Sequence, residues 1–95
     1  MYFVFLYTPG AAWQTGKPML EQPLEEHFAY MAKLEAANVL KLGGGFTDDA
    51  GAMGVLEVVT LEKAKEIVAN DPAVKNGIMR ASVHPWVASV KGCVH

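Results

Sequence analysis

The sequence predicts an α+β fold in the order β-α-β-β-α-β, with two helices on one face of a four-stranded antiparallel sheet. Three observations predict it. Strand-like apolar runs occupy residues 2–8 and 78–87. Two segments between them carry apolar residues at helical spacing. In the middle, a turn rich in glycine and aspartate joins two further apolar runs, which marks a hairpin.

Residues 2–8 are aromatic and β-branched. Phe3, Phe5 and Tyr7 point to one face, and Tyr2, Val4 and Leu6 to the other. Both faces are apolar, so this strand is expected to be covered on both sides. Pro9-Gly10 ends it. A long connection follows over residues 9–22, with an exposed Trp13 and room for one short helical turn. Connections of this length are often functional lids.

Pro23 suits the first position of a helix that runs to about Ala37, with Glu25 and Glu26 near its positive end. Its apolar stripe is Leu24, Phe28, Met31 and Leu34. Residues 39–46 read as a strand running into three glycines, Asp48 to Gly51 as a turn, and residues 53–60 as the antiparallel partner strand. Thr60 caps a helix over 61–70 that turns Ala64, Ile67 and Val68 inward. Asp71-Pro72 interrupts it, a short helical turn reaches Asn76, and Gly77 closes that turn. In the last strand Met79, Ala81 and Val83 share one face, and Ile78, Arg80, Ser82, His84 and Trp86 the other. The order is the ferredoxin-like one. The helices cover one face of the sheet, and packing against the sheet of a second copy would cover the other.

Composition narrows the function. The 95 residues are expected to form one domain over 1–95, with 52% hydrophobic residues and a net charge of −2. No Lys/Arg run or basic stripe is present. Nucleic acid and anionic membrane surfaces are therefore excluded as expected partners. The apolar start MYFVFLY lacks a basic n-region and is too short for a signal peptide, so it is read as a strand. Cys93 is the single cysteine, which rules out an internal disulfide and fits a reducing compartment. A cytoplasmic protein is expected.

His27 borders the apolar stripe of the first helix and points towards the sheet, where an imidazole can act as a general base. The alternative is a half-buried histidine bonded to backbone. Asp71 follows Ala64 and Val68 on the inward side of the second helix, so its carboxylate could orient a histidine. Asp71 before Pro72 is also a good N-cap, and one residue can do both. Gly43-Gly44-Gly45 is not a phosphate loop, because no Lys-Ser/Thr follows and no helix opens there. Asp48 and Asp49 read as a solvated turn. His84 and His95 have no partner in sequence, and no zinc spacing or nucleophile elbow is present. No metal is expected.

In this setting the chain resembles the YciI-like (YCII-related) family over nearly its whole length. The resemblance is carried by the aromatic first strand ending near Tyr7 and the helix PLEEHFAYMAKLEAANVL with His27. It continues through LGGGFTDDAGAMG, the Asp-Pro of ANDPAVKNG, and a strand ending Val83-His84-Pro85-Trp86. The family resemblance implies a dimeric α/β barrel and a pocket built around a histidine and an aspartate, here His27 and Asp71. One relative in that family dehydrochlorinates a chlorinated hydroxyquinone, and muconolactone isomerases share the broader architecture. Two features depart from the family pattern. The 9–22 loop is long, and Gly44 or Gly45 stands where a glycine-proline pair is common.

The expected function is a cofactor-independent enzyme. His27 would move a proton on a small cyclic or aromatic substrate, by elimination or isomerisation, and Asp71 would orient the imidazole. Tyr7, Phe46 and Trp86 would line the pocket, and Trp13 would close it. The alternative is a non-catalytic homodimer that binds a ligand or serves assembly. A monooxygenase of the same architecture is a weaker third reading, for which His84 is the one candidate ligand.

Overall fold

A computed structural model describes residues 1–92; Cys93 and His95 lie outside the described residues. The elements are β1 (Tyr2–Pro9), a single 3-10 turn (Met19–Glu21), α1 (Glu25–Ala36), β2 (Leu40–Gly45), β3 (Ala52–Glu57), α2 (Leu61–Ala69), α3 (Pro72–Lys75) and β4 (Met79–Trp86). The strands form one sheet in the order β2-β3-β1-β4, and every neighbouring pair is antiparallel. This is the ferredoxin-like arrangement, with the two long helices of the β-α-β-β-α-β plan and the short α3 inserted before the last strand.

The core lies between the helices and one face of the sheet. Phe3, Phe5 and Tyr7 are buried there with Leu56 of β3, Met79 of β4, and Ala64, Ile67 and Val68 of α2. The opposite face is open in the single chain. Tyr2, Leu6, Met53, Trp86 and Leu42 range from 37% to 70% exposed. The expectation that β1 is covered on both sides is therefore met on one side only by this chain.

α2 follows its sequence closely. Thr60 Oγ1 accepts a hydrogen bond from the Lys63 N–H at 3.1 Å, which satisfies one of the orphan donors at the helix start. α1 does not. It starts at Glu25 rather than Pro23, and Leu24 occupies the cap position without a side-chain hydrogen bond. Leu24 is buried, and its backbone lies outside helical geometry at φ −114° and ψ 15°. The inward face of α1 is also rotated from the predicted stripe. Tyr30, Met31 and Leu34 pack on the core, whereas Phe28 is 48% exposed. The Tyr30 hydroxyl donates to the Ile67 carbonyl at 2.7 Å, and this ties α1 to α2 in that rotation.

The 9–22 connection is held at several points. Gly10 and Ala12 N–H groups bond the Ile78 and Gly77 carbonyls at 2.8 and 2.9 Å. Buried Gln22 accepts from the Gln14 N–H and donates to the Gln14 and Lys17 carbonyls, at 2.8–2.9 Å. A buried amide with its hydrogen bonds made is a structural anchor for the loop. Trp13 consequently packs partly buried against the core instead of standing exposed. At Gly51, φ is +142° and a Cβ would overlap the Tyr7 carbonyl oxygen, so only glycine lets the chain pass this close to the end of β1.

Candidate functional site

Three elements bring one polar cluster together. β1 contributes Tyr7, α1 contributes His27 in its first turn, and the α2–α3 junction contributes Asp71. Asp71 is the N-cap of α3, and its Oδ1 accepts from the Ala73 N–H at 2.9 Å. Its other oxygen faces the site. Oδ2 accepts the Tyr7 hydroxyl at 2.7 Å and lies 2.7 Å from His27 Nδ1. Asp71 is 0% exposed, while the His27 side chain is 12% exposed. No buried side-chain polar atom among the described residues lacks a hydrogen-bond partner.

An ionised carboxylate only accepts, so with Asp71 ionised Nδ1 carries a proton, and a neutral ring then has its lone pair on Nε2. Tyr7 is the donor in its bond to Asp71. Burial first, and then the hydrogen bond to Asp71 and its charge, push the phenol far above its ordinary value of 10.0.

A cavity of about 160 Å³ opens beside this cluster. Its walls are Phe5, Tyr7 and Ala52 from the sheet, His27, Phe28 and Met31 from α1, Met19 from the 3-10 turn, and Gly43, Gly44 and Gly45 from β2, with Leu40 and Met53 at its border. His27 and Tyr7 are its polar side chains, and the lining contains no lysine, arginine or carboxylate. The glycines leave a wall without side chains: a Cβ on Gly44 would meet nothing within 4 Å, and one on Gly45 would meet Met19 Sδ at 2.9 Å. A second, more polar cavity of about 350 Å³ lies between the start of α1 and α3, and His27 lines it as well.

Comparison with known proteins places the chain in a family. The YCII-related domain matches the chain over residues 1–87. The chain belongs to the YCII-related family. It is similar to the uncharacterized protein YjpA of Bacillus subtilis (strain 168), with 35% identity over 60 residues, which is 63% of this chain and 71% of YjpA. Among solved structures it is similar to 5-chloro-2-hydroxyhydroquinone dehydrochlorinase (TftG) from Burkholderia phenoliruptrix AC1100, in complex with 2,5-dihydroxybenzoquinone. That likeness has a TM-score of 0.66 and 23% identity, over 92% of this chain and 94% of TftG. At this identity the likeness establishes the shared fold.

Within this YCII-related chain, the sequence-predicted residues separate into two groups. His27, Asp71 and Tyr7 come together. Phe46, Trp86 and Trp13 do not line the cavity beside them. Phe46 lies just past β2, at the turn, and is 40% exposed. Trp86 pairs with Tyr2, at the opposite end of β1 from Tyr7, and belongs to the open face. Trp13 is held against the core by the anchored loop. His84 is also on the open face, opposite Val4, with Nε2 3.0 Å from Ser82 Oγ. Among the described residues, no three His, Cys, Asp or Glu side chains are grouped to hold a metal ion, and no helix is long and apolar enough to cross a membrane.

Sequence reasoning passed over Phe5, Met19, Phe28 and Met31 as cavity walls. Two of them carried a readable signal. Phe5 shares a strand face with Tyr7, and Met31 stands one turn after His27. The hydrogen bond from Tyr7 to Asp71 had none, because 64 residues separate the pair.

Proposed function

We propose that this chain is a cofactor-independent enzyme that moves a proton on a small, uncharged ring compound. His27 Nε2 accepts the proton, and Asp71 holds the imidazole and stabilises it when it becomes charged. Elimination and isomerisation both suit this arrangement. In an elimination the proton goes to His27, and the departing group leaves with the electron pair of its bond to the ring. The observation that carries the proposal is the 2.7 Å contact of His27 Nδ1 with a fully buried carboxylate, on a histidine whose ring lines an apolar cavity.

The cavity also limits the substrate. Its volume of about 160 Å³ is near that of an engineered apolar cavity of about 150 Å³ that binds benzene. One six-membered ring fits. Without a cation in the lining, a carboxylate or phosphate on the ring would be desolvated with nothing to pair it. The dehydrochlorinase named above, bound to a dihydroxybenzoquinone, supports a ring of this class. The test is to incubate the chain with chlorinated hydroxyhydroquinones and with unchlorinated hydroquinones, and to follow chloride release and ring products by NMR. Turnover of at least one neutral ring, with carboxylated rings rejected, is expected. If no neutral ring binds at millimolar concentration, the proposal fails.

The open sheet face favours assembly as part of the same proposal, with a second copy covering Tyr2, Leu6, Leu42, Met53 and Trp86. Sedimentation velocity should show a homodimer, and Leu6→Lys should shift it to monomer. A wild-type chain that sediments as a monomer at tens of micromolar would remove the assembly half of the proposal.

A further inference from the structure

The Tyr7 hydroxyl and His27 Nδ1 share one acceptor atom. Both lie 2.7 Å from Asp71 Oδ2. Oδ1 is occupied by the Ala73 N–H at 2.9 Å, and the carboxylate is 0% exposed, so solvent does not compete for Oδ2. Two strong donors on one buried oxygen must divide its electron density, because each bond polarises the atom against the other. The Tyr7 ring forms part of the cavity wall while its hydroxyl is turned away to the carboxylate, and its centroid lies 5.9 Å from that of His27.

We propose that Tyr7 is a positioning residue whose hydroxyl competes with His27 for Asp71 Oδ2 and thereby sets the strength of the Nδ1–H···Oδ2 bond. It acts through Asp71 and need not touch substrate. This rests on His27 being the proton acceptor of the proposed reaction, but the coupling itself exists without substrate. A tyrosine that only filled space or satisfied a lone pair would leave the imidazole unchanged when its donor strength was altered.

The experiment reads the imidazole directly. The 15N resonances of His27 are observed in the whole protein through correlations to the ring C–H protons, which do not exchange with water. In Tyr7→Phe the carboxylate oxygen is left to His27 alone, and the Nδ1 resonance should move downfield. Incorporation of 3-fluorotyrosine makes the phenol a stronger donor, and the resonance should move upfield. The Tyr30 hydroxyl donates to the Ile67 carbonyl and not to Asp71, and the same labelling in a Tyr30→Phe background removes its charge coupling to Asp71. Fluorination also provides the answer should Tyr7→Phe fail to fold. Opposite shifts support the inference, and an unmoved resonance in either sample overturns it. The two proposals fail separately: ring turnover with an unmoved resonance removes the role of Tyr7 alone, and opposite shifts without turnover remove the reaction alone.

Discussion

Asp71→Ala is expected to lower the unfolding free energy by about 3–5 kcal/mol, the range for removing one partner of a buried pair. Three donors lose their acceptor in one substitution: the Ala73 N–H, the Tyr7 hydroxyl and His27 Nδ1. The lost helix cap alone is worth about 1 kcal/mol. A buried donor left without a partner costs about 1–3 kcal/mol. His27 can turn towards solvent to recover part of this loss, whereas Tyr7 is 0% exposed and cannot. Asp71→Asn keeps a capping oxygen and is expected to lose about half as much. Urea denaturation followed by Trp13 and Trp86 fluorescence measures the difference, at matched protein concentration because assembly would add to apparent stability. A loss under about 1 kcal/mol in Asp71→Ala would mean that the cluster does not form in solution.

His27→Ala separates chemistry from folding. Turnover of a ring substrate is expected to fall by about 10²–10⁴-fold, the usual contribution of a positioned general base. The stability cost is smaller than for Asp71→Ala, because Asp71 keeps both the Tyr7 hydroxyl and the Ala73 N–H. His27 also lies at the site's edge, between the two cavities. The informative measurement is turnover at saturating ring substrate, alongside circular dichroism and thermal unfolding of the same sample. Turnover within a factor of about three of wild type, where a general base supplies at least about 10², would rule out His27 as the base and leave the binding and assembly reading. Together the two variants are expected to divide the cluster, with the larger loss of stability in Asp71→Ala and the larger loss of turnover in His27→Ala.

Much of the fold was legible because its causes are local. The helix cap at Thr60, the inward side chains Ala64, Ile67 and Val68, the break at Asp71-Pro72 and the central hairpin all depend on residues a few positions apart. Short-range spacing carries that information directly. His27 and Asp71 were legible as candidates for the same reason, since each stands at a particular place on its own element. The rotation of α1 was not. A hydrogen bond to Ile67 and the burial of Leu24 decide it, and both are contacts with other elements.

By itself the sequence determined the element order, the apolar faces of β1 and α2, and the membership of His27 and Asp71 in a short set of candidate residues. Tertiary structure decided which other residues meet the His27–Asp71 pair that the family resemblance implied. Antiparallel pairing places Trp86 opposite Tyr2 and Met79 opposite Pro9, so the aromatic end of β4 lies far from Tyr7. The same packing brings Tyr7, His27 and Asp71 onto one oxygen although 44 and 64 residues of chain intervene. Side-chain type and periodicity specify how a segment buries its own face. Strand register and helix docking are set by the sum of contacts across the whole core, and no single segment contains that sum.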